Sequence, residues 1–152
     1  MRVDFAAPRS GKLSIVAYPD AITAGVQAGV SYLPKRTEVF AKERSCVLAL
    51  NASPFARESD NTTRPLGIHK AGGLAFSRPI GRYSALALTE NPPSASILRR
   101  QTAENCADYD FVFGGFYTIL WEGEEVEFAT SSFDSRTAAG VTADGSTLFI
   151  LV

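Results

Sequence analysis

The chain has 152 residues and a mass of 16.3 kDa, the length of one domain. Its 45 % apolar and 20 % charged composition excludes global disorder, and no apolar run is longer than five residues, against the roughly 20 that a membrane helix needs. A net charge of −1 argues against a general nucleic-acid binder. Residues 1–100 nevertheless carry 14 basic and 7 acidic residues, whereas residues 101–152 carry 9 acidic residues and a single cation, Arg136.

Lys12 to Tyr18 alternates loosely and reads as a strand, broken by Pro19-Asp20. Ile22 to Tyr32 reads as a second, weaker strand. Pro34 to Arg44 reads as a helix, with Pro34 in the first turn and Leu33, Thr37, Phe40 and Ala41 on one face. Cys46 to Leu50 is a short apolar run of the kind found in fully buried strands, which makes Cys46 a buried thiol. Residues 51–71 read as a long loop rich in Asn, Ser, Pro, Thr and Arg.

Beyond that point the pattern is almost all β: Gly73 to Arg78, Tyr83 to Thr89, Ala95 to Arg99, Phe111 to Trp121, Glu124 to Phe128, Arg136 to Thr142 and Thr147 to Val152. Turns are expected at Asn91-Pro92-Pro93, Glu122-Gly123 and Asp144-Gly145, the last a strong hairpin signal, and a short helix over Gln101 to Ala107. The predicted class is α+β, a single domain dominated by mixed or antiparallel sheet with few helices.

Familiar catalytic motifs are absent: no Gly-x-Ser-x-Gly, no P-loop, no His-Glu-x-x-His. Two cysteines and one histidine cannot fill a structural zinc site with N and S ligands alone, and no metal or cofactor is implied. Cys106 sits in the acidic stretch Glu104-Asn105-Cys106-Ala107-Asp108, which would raise a thiol pKa. Asn51 follows an apolar run directly, where binding groups often sit; on spacing alone an Asx-turn that ends the strand is the favoured explanation. Arg57, Arg64, Lys70, Arg78 and Arg82, with Gly67, Gly72 and Gly73 among them, suit a phosphate-binding loop or simply a solvated one. Arg136 opens a stretch of small residues that leaves room around its guanidinium, for an anionic ligand or an ion pair.

In this order the pieces resemble the phosphodiester glycosidase family, which includes the enzyme that uncovers mannose phosphate by removing N-acetylglucosamine. Arg2-Val3-Asp4-Phe5 matches the opening of the family pattern, Ala49 to Phe55 its Asn-x-x-x-Phe segment and Pro65-Leu66-Gly67 its loop. Phe111 to Gly123 and then Ser135 to Gly145, with its Arg-Thr-Ala-x-Gly core, match the rest. The resemblance covers essentially the whole chain. It implies hydrolysis of a sugar-1-phosphodiester at the glycosidic bond, or a catalytically silent relative that binds a glycan or glycan phosphate. It also implies the roles: Arg136, with Thr137, clamps phosphate; Asn51 orients sugar hydroxyls; Phe55 and Gly67 line the pocket; His69 is an acid/base candidate. Members of the family are usually exported or lumenal, and this chain opens without an export signal. The family's later Val-Asp-Gly-Arg and Asp-Gly-Gly-Gly-Ser stretches do not occur, so the domain is expected to be incomplete at its C-terminus. An apolar last strand is then expected to leave side chains or an edge exposed and to favour self-association.

Overall fold

The computed structural model describes residues 1–5, 14–19, 31–127 and 136–152. Twelve short strands are defined among them: β1 (Arg2–Asp4), β2 (Phe55–Arg57), β3 (Thr63–Pro65), β4 (His69–Ala71), β5 (Leu74–Ser77), β6 (Ala85–Glu90), β7 (Pro93–Leu98), β8 (Phe111–Gly114), β9 (Leu120–Trp121), β10 (Glu124–Glu125), β11 (Ala138–Val141) and β12 (Thr147–Leu151). The single helix among the described residues, α1, spans Thr37–Glu43. All pairings are antiparallel. A five-stranded sheet runs β5-β4-β8-β6-β7 and a three-stranded sheet β1-β12-β11, with β2-β3 and β9-β10 as separate two-stranded ribbons. The chain is thus a small, sheet-dominated α+β protein. No described helix is long and apolar enough to cross a membrane.

Period-two patterning explains the larger sheet. Leu86 and Leu88 on β6 and Phe111 and Phe113 on β8 face one side, where Phe76, Ala95 and, from β12, Leu148 and Ile150 join them. The alternate positions Ala85, Ala87 and Val112 face the other side and pack with Ile68 and Cys106. The main core therefore lies between the two larger sheets. Turn chemistry sets the registers. Gly72-Gly73 links Ala71 to its partner Leu74, and Glu122-Gly123 links Trp121 to Glu124; all four loop residues have positive φ, as a type I′ hairpin requires.

The Asp144-Gly145 hairpin forms as expected, pairing β11 with β12. Its tip presses against the larger sheet: the Gly145 carbonyl accepts from Ala95 N–H, and a Cβ on Gly145 would lie 2.8 Å from the Ala95 carbonyl. β12 is not an edge, because β1 pairs along its other side. Its buried face carries Leu148 and Ile150, while Phe149 and Leu151 are exposed.

Several expectations are corrected. Cys46 to Leu50 is not a strand: Val47 is fully exposed and Cys46 only half-buried, because the segment leaves α1 along the surface. The helix begins at Thr37, with Pro34 before it, and none of its residues is buried. The long loop over 51–71 contains β2, β3 and β4, whose three-residue lengths and Thr, Arg and Pro content hide them from pattern reading. Gln101 to Ala107 forms successive turns rather than a helix. Phe111 to Trp121 is two strands, β8 and β9, and Ser14 to Tyr18 forms no strand. Residues 12–13, 22–30 and 128 of the other expected strands lie outside the described residues.

Candidate functional site

A cleft of about 1790 Å³ is bounded by β1, the 14–19 segment, α1, the 44–55 stretch and the core-facing side of β6 and β12. Three site candidates from the sequence, Asn51, Phe55 and His69, line it. Phe55 is half-exposed on β2. Asn51 accepts a hydrogen bond from the Thr37 hydroxyl through Oδ1 at 3.2 Å, so its amide nitrogen remains to donate.

Residues to which the sequence assigned no site role complete the cleft. Asp4 from β1 and Glu90 from the end of β6 place two carboxylates in its lining. Asp4 pairs with Arg2 at 3.2 Å, and Glu90 Oε1 accepts from the Ile15 N–H at 3.3 Å. Lys35, Arg36 and Arg44 bring cations. Lys35 and Arg36 are held by Glu43 and Glu38 across the ends of α1, pairs exposed enough to be worth little and easily exchanged. The Tyr32 hydroxyl is buried with no hydrogen-bond partner among the described residues, and burial pushes its pKa up. An unpaired buried hydroxyl costs about 1–3 kcal/mol.

His69 is buried on β4 between the rings of Phe76 and Phe113. Its Nε2 lies 3.0 Å from the Pro19 carbonyl oxygen and its Nδ1 lies 3.4 Å from Ser53 Oγ. A carbonyl only accepts, so Nε2 carries the proton and Nδ1 is the bare acceptor. Burial pushes the imidazole pKa down, partly offset by the Pro19 bond, so the ring is neutral near neutral pH.

Other candidates sit elsewhere. Gly67 is buried and does not line the cleft. Its φ is +84° and a Cβ there would lie 2.5 Å from Gln101 Oε1, so the glycine makes room for that side chain. Gln101 is a buried hub: Oε1 accepts from the N–H groups of Ile68 (2.8 Å) and Ile80 (3.1 Å), and Nε2 donates to the Ser84 carbonyl (2.7 Å). Gly72 and Gly73 are the hairpin turn already described. Lys70 is buried, donating to the carbonyls of Cys106 and Ala107, and Arg64 pairs with Glu58. Of the basic residues in this region only Lys70 is thus internal; Arg57, Arg78 and Arg82 are exposed. Cys106, rather than Cys46, is the buried thiol; burial raises its pKa, against the Thr102 hydrogen bond and the Lys70 charge, and the acidic neighbours expected to raise it play no part.

Arg136 and Thr137 are exposed, precede β11 and do not line the cleft. The Arg136 guanidinium stands 5.6 Å from the Phe116 ring centroid; Phe116 meets Tyr83 edge-on, and Arg82 covers Tyr83. Next to this ladder, Arg82, Arg99, Arg100 and Trp121 form a shallow basic groove, with Arg99 over the indole at 5.3 Å. No cluster of three or more His, Cys, Asp or Glu side chains suited to a metal occurs among the described residues.

No family model matches this chain, and no curated protein or solved structure matches it.

Proposed function

We propose that the cleft binds a sugar-1-phosphodiester and that the domain is a hydrolase of phosphodiester glycosidase type, acting at the glycosidic bond. The observation that carries this reading is the convergence on one cleft of two carboxylates (Asp4 and Glu90), the two residues the motif marks for sugar contact (Asn51 and Phe55), exchangeable cations at α1 and the Tyr32 hydroxyl, which has no partner among the described residues. Paired carboxylates are what glycosidic hydrolysis needs: one takes the proton of the attacking water while the C1–O bond to phosphate breaks. The departing phosphate monoester is an anion, and Lys35 and Arg36, released from Glu43 and Glu38, would hold it.

A second reading, binding without turnover, is favoured by a separate observation: both carboxylates already hold structural partners, Arg2 and the Ile15 N–H. Release of free sugar from a p-nitrophenyl sugar-1-phosphodiester separates the two. Turnover that falls at least ~100-fold in Glu90→Gln supports hydrolysis. Saturable binding without sugar release supports the silent relative, and neither binding nor release overturns both. Self-association through the exposed Phe149 and Leu151 face of β12 is a further part of the proposal, read by light scattering on wild type against Phe149→Ser.

A further inference from the structure

We propose that Ser53 and His69 form a nucleophile–base pair that cleaves carboxylic esters, an activity separate from the sugar phosphodiester reading. The diagnostic arrangement is a hydroxyl within reach of a base that a third group orients, with distances often loose before substrate binds. Here Ser53 Oγ stands 3.4 Å from Nδ1, and the Pro19 carbonyl fixes Nε2 as the protonated nitrogen at 3.0 Å. The free lone pair on Nδ1 therefore points at the hydroxyl. Both residues line the cleft, Ser53 half-buried at its wall and His69 behind it, with Phe113 and Tyr32 giving an apolar setting for an acyl chain.

Among the described residues the groups facing the imidazole are uncharged: Phe76 from β5, Phe113 from β8, the Pro19 carbonyl and the Ser53 hydroxyl. Only burial and the Pro19 bond displace its pKa, and the net displacement is downward, so the base form prevails at neutral pH. In the step, Ser53 Oγ bonds to the ester carbonyl carbon as its proton passes to Nδ1. The ester C–O bond then breaks, and the leaving alkoxide takes that proton as the alcohol. Water attacks the acyl-serine, gives its proton to Nδ1, and the acid leaves as Ser53 regains its hydrogen.

The test uses the full chain with a fluorophosphonate probe and p-nitrophenyl acetate. Peptide mapping is expected to place one phosphonyl group on Ser53, and Ser53→Ala is expected to abolish both labelling and acetate release. The labelling rate of wild type is expected to rise with pH through a midpoint below 6.5 and to level off above it, which reports the base without a variant at the buried histidine. His69→Gln, if folded by circular dichroism, is expected to label at least ~100-fold more slowly. Folded wild type that leaves Ser53 unmodified, or labelling at Ser53 with no pH dependence between 4 and 8, overturns the pair as a catalytic device. Either result leaves sugar binding in the cleft untouched.

Discussion

Replacing Gln101 with leucine, close to it in volume, isolates the polar role of a side chain only 1 % exposed. The Ile68 N–H has Gln101 Oε1 as its partner and is buried; the Ile80 N–H, partly buried, shares that oxygen. The Ser84 carbonyl keeps its bond from the Gly115 N–H at 2.7 Å, so it is not orphaned. Two donors are therefore stranded. At about 1–3 kcal/mol for the buried one, less for the other, the cost is about 2–4 kcal/mol. For a domain of this size that lowers Tm by roughly 5–15 °C, and it is a large part of a total stability near 5–15 kcal/mol. Urea unfolding followed by circular dichroism reads it directly. A loss under about 1 kcal/mol would mean that water or a shifted backbone satisfies both groups, and that Gln101 does not organise the 67–84 region. Gly67→Ala is expected to be as damaging, since its Cβ would sit 2.5 Å from Gln101 Oε1.

Gly145→Ala is expected to lose about 1–3 kcal/mol, because φ is +70° and the new Cβ meets the Ala95 carbonyl at 2.8 Å; thermal melting checks it. Lys70→Met, which abandons the carbonyls of Cys106 and Ala107, is expected to cost about 2 kcal/mol in the same assay. The His69 pKa is depressed in the fold, so its contribution is whole above the unfolded value of about 6.5 and is lost as pH falls below it; His69→Phe should flatten that limb of the stability–pH curve. Asp144 is held at about 2 by bonds from Thr142 and Ser146, so its contribution is present above the ordinary carboxylate value and lost as pH falls toward 2. Asp144→Asn should remove that acid limb in urea titrations at pH 2–5.

What was legible in the sequence follows from how local its cause is. The alternation in 85–90 and 111–113 and the Asp144-Gly145 turn are nearest-neighbour signals, and β6, β8 and the β11–β12 hairpin formed as they indicate. Cys46 to Leu50 misled because an apolar run is ambiguous by itself; its place after an exposed surface helix left Val47 in solvent. Strands β2, β3 and β4 are stabilised by pairing and by the Gln101 hub rather than by their own composition. At the cleft, Asn51 and Phe55 were visible as a short motif. Asp4, Tyr32, Ser53 and Glu90 come together only because β1 pairs with β12, Tyr32 bridges to Thr63 and β6 ends against the 14–19 segment. Residues so far apart in the chain leave no local signal of their meeting.

The most direct measurement is calorimetric titration of a p-nitrophenyl sugar-1-phosphodiester into wild type, Asn51→Ala and Arg136→Ala. With the ligand in the cleft lined by Asp4, Tyr32, Asn51 and Glu90, Asn51→Ala is expected to weaken binding about tenfold, one lost hydrogen bond to a charged or polar ligand group. Arg136→Ala, altering a residue outside that lining, is expected to bind within about twofold of wild type. Unchanged affinity in Asn51→Ala with binding abolished in Arg136→Ala would contradict this, and would place the sugar phosphodiester on the Arg136–Phe116 face instead.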